Sequence, residues 1–228
     1  MSNLYVVSTP IGNLQDITIR AASLLLESNI LVTESTSKAG VLLDFLEKKF
    51  GSKRLNGQKI ISMNEEEEQG KIPFILSALE VNDAALISEA GTPLISDPGF
   101  KLVREAIKRG IRIIPVPGPS SITAALVVSG LPTNKFKFIG FPPKSRLKRK
   151  NEFKILTKDN CTIILFESPH RIIDTLRDML DVFGDMEIVL ARELTKIHEE
   201  IIRGKISELL LKLKQRAPRG EWVILFYF

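Results

Sequence analysis

The sequence predicts an α/β protein of two lobes, each an open sheet flanked by helices, and three observations carry that prediction. Short apolar β-runs alternate with stretches of helical periodicity along the chain. A Pro117-Gly118-Pro119 break falls near the middle, and the alternation starts again after it. The chain has 228 residues, 44% of them hydrophobic, enough for one large domain or two small ones with cores of their own.

Leu4 to Ser8, Ile30 to Thr33, Ala84 to Ser88 and Ile111 to Val116 read as strands, being short, apolar and β-branched. Asp16 to Glu27 reads as a helix with Asp16 as its N-cap, and Phe100 to Lys108 as one whose Phe100, Val103 and Ile107 share a face. Pro117-Gly118-Pro119-Ser120-Ser121 then opens a helix to about Ser129, which Gly130-Leu131-Pro132 stops. The lobe boundary is placed here, giving an N-terminal lobe over 1–117 and a C-terminal lobe over 118–228. The second lobe continues with strand Phe136 to Ile139, a helix from about Arg146, and strand Thr162 to Phe166. Helix Pro169 to Val182, strand Glu187 to Ala191, a helix near Ser207 to Lys214 and strand Trp222 to Phe228 complete it. Sheets covered by helices bury such strands best.

Composition excludes several classes. Cys161 is the only cysteine, so there is no disulfide framework and no cysteine-based zinc motif, and a reducing cytoplasm is expected. No apolar run approaches the roughly 20 residues of a membrane span. The net charge of +5 favours an anionic partner, though ordinary enzymes carry such an excess too.

In α/β sheets, ligands bind beyond the carboxyl ends of the strands. Four loops stand there: Thr9 to Asn13, Glu89 to Gly99, Pro117 to Ser120, and Glu167-Ser168-Pro169-His170-Arg171. No GxGxxG follows the first strand and no GxxxxGK[ST] occurs, so the usual cradles for dinucleotides and nucleoside triphosphates are missing. Glycines that let backbone come close and prolines that fix loop shape suit a ligand without phosphates, held by backbone groups. S-adenosylmethionine is such a ligand. Tight turns alone would use the same residues.

Thr9-Pro10-Ile11-Gly12-Asn13-Leu14, Ala90-Gly91-Thr92-Pro93, Ser96-Asp97-Pro98-Gly99, Pro117-Gly118-Pro119-Ser120, Ser129-Gly130-Leu131-Pro132, Glu167-Ser168-Pro169-His170-Arg171 and Ala191-Arg192-Glu193-Leu194-Thr195-Lys196 follow one another in order. Together they resemble the RsmI-type 16S ribosomal RNA (cytidine-2′-O)-methyltransferases of the tetrapyrrole (corrin/porphyrin) methylase superfamily, over essentially the whole chain. The resemblance implies a two-lobed tetrapyrrole methylase-like fold with S-adenosyl-L-methionine in the inter-lobe cleft, usually in a homodimer, and 16S rRNA of the small ribosomal subunit as substrate. It carries cofactor contacts over to Pro10, Ser88, Gly91, Thr92, Pro93, Ile95, Pro117, Gly118, Phe166 and Ala191.

The chain also departs from that pattern. Glu34-Ser35-Thr36-Ser37 stands where the family reads Glu-Asp-Thr-Arg, and Met63 to Glu68 stands where it has a histidine-bearing stretch. Ser88-Glu89 replaces Ser-Asp, and the family's helical C-terminal extension has no counterpart before Phe228. These changes bear on the substrate more than on the cofactor.

A ribose hydroxyl is a weak nucleophile that needs a base for its proton or a cation for the developing alkoxide. Glu193 and Lys196, after a strand, offer one of each, and the same residues fit a surface ion pair. Glu34 and Glu89 are the other carboxylate candidates. Asp97, between Ser96 and Pro98, reads as a turn former. His170 and His198, the only histidines, suggest no metal site.

Lys144 to Lys158 is strongly basic and could track a phosphate backbone, or form one solvated helix face. Phe136, Phe138 and Phe141 read as strand core, and Glu65 to Glu68 as the solvated first turn of a helix. Two other functions stay open: a small-molecule, tetrapyrrole-type methyltransferase, and a non-catalytic RNA-binding or assembly protein that keeps the fold.

Overall fold

A computed structural model describes residues 2–215 and 217–228. The chain divides into two compact units, Met1–Ser120 and Ser121–Phe228.

The first unit is a parallel sheet of β1 (Asn3–Val7), β2 (Ile30–Thr33), β3 (Lys59–Ser62), β4 (Ala84–Ile87) and β5 (Arg112–Val116) in the order β3-β2-β4-β1-β5. On one face Val7, Leu31, Ala85, Ile87 and Val116 pack against α1 (Ile19–Glu27) and α2 (Thr36–Phe50). On the other, Leu4, Ile30, Val32, Ala84 and Leu86 pack against α3 (Glu68–Ala78) and α4 (Phe100–Lys108). Burial on both faces explains why these strands read as unbroken apolar runs. Each fully buried leucine, such as Leu25, Leu43 or Leu46, contributes about 1.5–3 kcal/mol.

Helix α1 starts later than expected. The Thr18 hydroxyl accepts the Ala21 N–H at 3.1 Å and is the N-cap, while Asp16 lies in a 3-10 turn, Leu14–Asp16. The Asn13 side chain caps that turn by accepting the Gln15 N–H at 3.0 Å. Two caps in series compete for the same start, and the hydroxyl nearer the apolar periodicity holds the helix.

Helix α4 buries Leu102 and Ala106 and packs Val103 partly against the same core, while Phe100 and Ile107 stay outside it. Phe100 is 62% and Ile107 59% exposed. Glu68 caps this helix from α3. Its buried carboxylate accepts the N–H groups of Gly99 at 3.2 Å, Lys101 at 3.0 Å and Leu102 at 3.4 Å. Glu65 and Glu66 are solvated and Glu67 is the exposed N-cap of α3, so only part of that acidic run fits a solvated turn.

In the second unit β6 (Phe136–Phe138), β7 (Thr162–Glu167), β8 (Glu187–Arg192), β9 (Glu200–Lys205) and β10 (Trp222–Tyr227) form one sheet, in the order β6-β7-β10-β8-β9. Only the β6–β7 pair is parallel. The main core takes Ile163, Leu165, Ile188, Leu190, Trp222, Ile224 and Phe226 from one face. It packs them against α6 (Arg146–Leu156), α7 (Ile172–Phe183) and α8 (Ile206–Gln215). Helix α5 (Ser121–Ser129) lies against β8 and β10.

The aromatics of β6 and its exit are not core. Phe136 and Phe141 are 45% and 53% exposed. The register pairs Phe136 with Thr162 and Phe138 with Ile164, the alternate set to the one the main core takes from β7. The Phe138 and Phe141 rings instead meet Phe166 edge-on, with centroids 4.7 and 5.6 Å away.

Candidate functional site

The order β4-β1-β5 puts the carboxyl ends of three strands side by side, so three of the four motif loops meet at one edge of the first sheet. Thr9 N–H donates to the Gly91 carbonyl at 2.9 Å, and Gly91 N–H returns a bond to the Thr9 carbonyl at 3.1 Å. The Ser8 and Thr92 hydroxyls lie 3.0 Å apart, and Thr92 Oγ1 donates onward to the Pro119 carbonyl at 3.2 Å. Ser88 Oγ donates to the Ala90 carbonyl at 3.3 Å and closes the start of the β4 loop.

Gly91, at φ 82°, and Gly118 are the two positions where a side chain would spoil this convergence. A Cβ on Gly91 would lie 3.3 Å from Ile11 Cγ2, and one on Gly118 3.0 Å from Ser8 Cβ. Pro10, Ser88, Gly91 and Pro93 are buried within the convergence, whereas Ile95, Pro117 and Gly118 face outward. Thr9 Oγ1 is buried without a hydrogen-bond partner. Close-approach glycines, exposed backbone and an apolar Ile95 beside them fit an uncharged purine and an amino-acid tail; no feature here cradles a phosphate.

Phe166 and Ala191 belong to the second unit. Val223 of β10 pairs with Phe166 on one side and with Ala191 on the other, so the three side chains share one row of the sheet.

The four expected catalytic residues, three carboxylates and a lysine, fall into two groups. Glu34 follows β2, and Glu89 follows β4, where it forms an ion pair with Lys38 of α2. Burial raises the Glu34 pKa, and the charge of Glu89 adds to the rise. Asp97, which sequence reasoning set aside, stands with them. Burial pushes its carboxyl up to about 6, and the charges of Glu34 and Glu89 add to this. Its loop carries two non-glycine residues in the left-handed region, Leu94 at φ 72° and Ser96 at φ 66°. Such strain persists only where surroundings enforce it.

Glu193 and Lys196 lie in the second unit and form a closed network. Glu193 Oε1 accepts Lys196 Nζ at 2.9 Å and the Glu221 N–H at 3.0 Å, and Lys196 Nζ also meets Glu221 Oε2 at 2.8 Å. Burial works to raise the Glu193 pKa, but the Glu221 N–H and the Lys196 ammonium outweigh it and hold the carboxyl below its ordinary value. Burial likewise works to lower the Lys196 pKa, and the two carboxylates override it and raise it. A carboxylate stabilised in this way is a weak proton acceptor.

The basic stretch is divided. Arg149 is buried and meets Asp178 of α7 through Nε at 2.9 Å and Nη2 at 2.6 Å. Arg146 pairs with Asp178 and Asp181, and Lys150 with Asp181. Lys144, Lys148, Lys154 and Lys158 form no ion pair among the described residues. Ser35, one of the departures from the family pattern, caps α2 by accepting the Lys38 N–H. Among the described residues no group of three or more His, Cys, Asp or Glu could hold a metal ion, and no helix is long and apolar enough to cross a membrane.

A doubly wound parallel sheet bearing three converging glycine- and proline-rich loops, followed along the chain by a mixed sheet, is the architecture of a class of two-unit α/β methyltransferases. The chain belongs to the tetrapyrrole (corrin/porphyrin) methylase family, whose model matches residues 3–210. It is 44% identical over 222 residues to ribosomal RNA small subunit methyltransferase I of Thermotoga maritima, covering 97% of this chain and 96% of that one. It is 42% identical to the protein of the same name from Hydrogenobaculum sp., over 97% of this chain and 94% of the relative. For the Halalkalibacterium halodurans protein of that name the identity is 40%, over 97% and 74%. The first two relatives therefore carry little beyond the matched region, and a long C-terminal extension is not common to all. Among solved structures, diphthine synthase superposes with a TM-score of 0.74 at 15% identity, over 99% of this chain and 90% of that one. Cobalt precorrin-4 methyltransferase superposes with a TM-score of 0.72 at 18% identity, over 98% and 93%. These two share the fold.

Proposed function

We propose that the chain transfers a methyl group from S-adenosylmethionine to the ribose 2′-oxygen of a cytidine in 16S ribosomal RNA of the small subunit. The observation that carries this reading is near-full-length similarity to three proteins named as ribosomal RNA small subunit methyltransferase I. The absence of a phosphate cradle and the convergence of the β1, β4 and β5 loops support the cofactor.

When bound, the cofactor supplies an electrophilic methyl group on a sulfonium. Gly91, Thr92 and Pro93 would offer backbone groups to its polar edges, Pro10 and Ile95 apolar surface, and Pro117 with Gly118 a close backbone approach. Phe166 and Ala191 are carried over by the family pattern. The residues serve by orientation: holding an acceptor hydroxyl at attack distance replaces a bimolecular encounter and accounts for much of the rate. The unpaired Lys144, Lys148, Lys154 and Lys158 suit contact with phosphates.

The test is transfer of labelled methyl to small subunits purified without this modification, followed by nucleoside analysis. A 2′-O-methylcytidine in 16S rRNA is expected. Cofactor binding with no label on subunits or free RNA overturns the substrate and returns the small-molecule and non-catalytic readings.

A further inference from the structure

We propose that Phe141 is a stacking platform for an unpaired base of the RNA substrate and that Lys144, on the same loop, takes a phosphate of that strand. This inference rests on the reading of the chain as an RNA methyltransferase.

The loop between β6 and α6 is built to be rigid. Gly140, at φ 69°, turns the chain out of β6, and its carbonyl still accepts the Phe166 N–H at 3.0 Å. Pro142 and Pro143 follow, and each ring restricts its own φ and the residue before it, so the backbone over 141–143 has little freedom. Two arginines then hold the loop by its carbonyls. Arg171 Nη2 donates to Pro142 at 2.6 Å and to Pro143 at 3.2 Å, while Arg149 Nη1 donates to Pro143 at 3.2 Å and to Lys144 at 3.4 Å. Each arginine is itself fixed by a buried acid, Arg171 by Glu167 of β7 and Arg149 by Asp178 of α7.

This frame presents an open ring and an open charge. Phe141 is 53% exposed and is braced by Phe166, edge-on at 5.6 Å between centroids. Stability alone would favour burying such a ring. The acids around α6 are already matched, Asp178 by Arg149 and Arg146, Asp181 by Arg146 and Lys150, and Glu167 by Arg171. Lys144 and Lys148 pair with no carboxylate among the described residues, so positive charge beside the ring is uncompensated. A π-face next to such cations is complementary to a nucleotide, base to ring and phosphate to ammonium. Inside a duplex both faces of a base are taken by its neighbours, so the base that stacks here is an unpaired one. Because the loop is held in advance, ordering it on binding costs little.

The test measures binding of the full chain to short single-stranded RNA carrying 2-aminopurine, whose fluorescence is quenched by stacking, and to a duplex of the same sequence. Wild type, Phe141→Ala, Phe141→Leu, Phe141→Trp and Lys144→Gln are compared, with methyl transfer to small subunits and sedimentation alongside. Expected are quenching by wild type, affinity for the single strand about tenfold or more lower in Phe141→Ala and Phe141→Leu, and retained affinity in Phe141→Trp. Leucine keeps apolar bulk without a π-face, so its loss separates stacking from burial. Lys144→Gln should weaken binding of every sequence alike and lower the slope of log affinity against log salt by about 0.7. Duplex binding should be weaker and indifferent to Phe141. Unchanged affinity and quenching in Phe141→Ala, beside a wild type that methylates RNA, overturns the platform and leaves the methyltransferase reading intact. So does a Phe141 variant that alters self-association alone, which would place a second copy of the chain over the ring. A wild type that neither binds nor methylates RNA overturns both.

Discussion

Gly220 has no room for a side chain because of Glu193: a Cβ at position 220 would lie 2.5 Å from both Cγ and Cδ of Glu193. Glu193 itself sits at φ 50°, so the network with Lys196 and Glu221 is held under backbone strain. Gly220→Ala should therefore lower stability by about 2–4 kcal/mol, through the unfavourable φ and displacement of the Glu193 carboxylate. In a Glu193→Ala background the same change should cost only the φ contribution, about 1 kcal/mol. Thermal melts of the four proteins in this cycle measure the coupling, and additive effects would contradict the contact.

The Glu68 carboxylate satisfies three backbone donors at the start of α4 and is itself 3% exposed. Glu68→Ala leaves those donors buried and unmet and should cost about 2–4 kcal/mol. Glu68→Gln keeps one acceptor oxygen and should cost less. Hydrogen exchange at Gly99, Lys101 and Leu102 should rise in Glu68→Ala before exchange in β1 or β4 does, since the cap opens locally.

The strands with continuous β-branched or leucine runs were legible in the sequence, because burial on both faces leaves no polar alternation to confuse them. Lys59–Ser62 and Glu200–Lys205 escaped notice as edge strands with one exposed side. The Phe100, Val103 and Ile107 face misled because periodicity reports which residues share a side of a helix and says nothing of which side meets the sheet. The cap on α4 is likewise supplied by Glu68, thirty-two residues before Phe100, and no local pattern signals it. The site divided in the same way. The Gly- and Pro-rich loops were readable from type and spacing, whereas the raised pKa of Asp97 depends first on burial and then on the charge of Glu34, distant in sequence and brought near by the β2–β4 pairing.

Arg149 and Asp178 form a buried ion pair joining α6 to α7, with side chains 5% and 2% exposed. Removing one partner strands a charge: Arg149→Ala or Asp178→Ala should each cost about 3–5 kcal/mol. Asp178→Ala also removes one of the two carboxylates that Arg146 pairs with. Replacing both by apolar residues of similar volume, Arg149→Met with Asp178→Leu, should recover most of that loss in a calorimetric melt. A double variant as unstable as the sum of the singles would contradict the coupling between the two side chains.

Asp97→Asn should stabilise the fold at neutral pH. The carboxyl is pushed up to about 6 from an ordinary value of 3.8, so the folded chain holds this proton more tightly than the unfolded chain does. Between those two values stability falls as pH rises, and above about 6 the folded protein carries the full cost of the charge. Asparagine removes that cost. The gain, on the order of 1 kcal/mol once screening by water at the partly exposed carboxylate is allowed for, should be complete above the folded-state value. It should shrink on acidification and vanish below the ordinary carboxylate range, where aspartate is protonated in both states. Denaturant unfolding of wild type and variant from pH 3.5 to 8 measures it. A gain independent of pH would point to packing as its source, whereas one that disappears with acid ties it to the Asp97 charge.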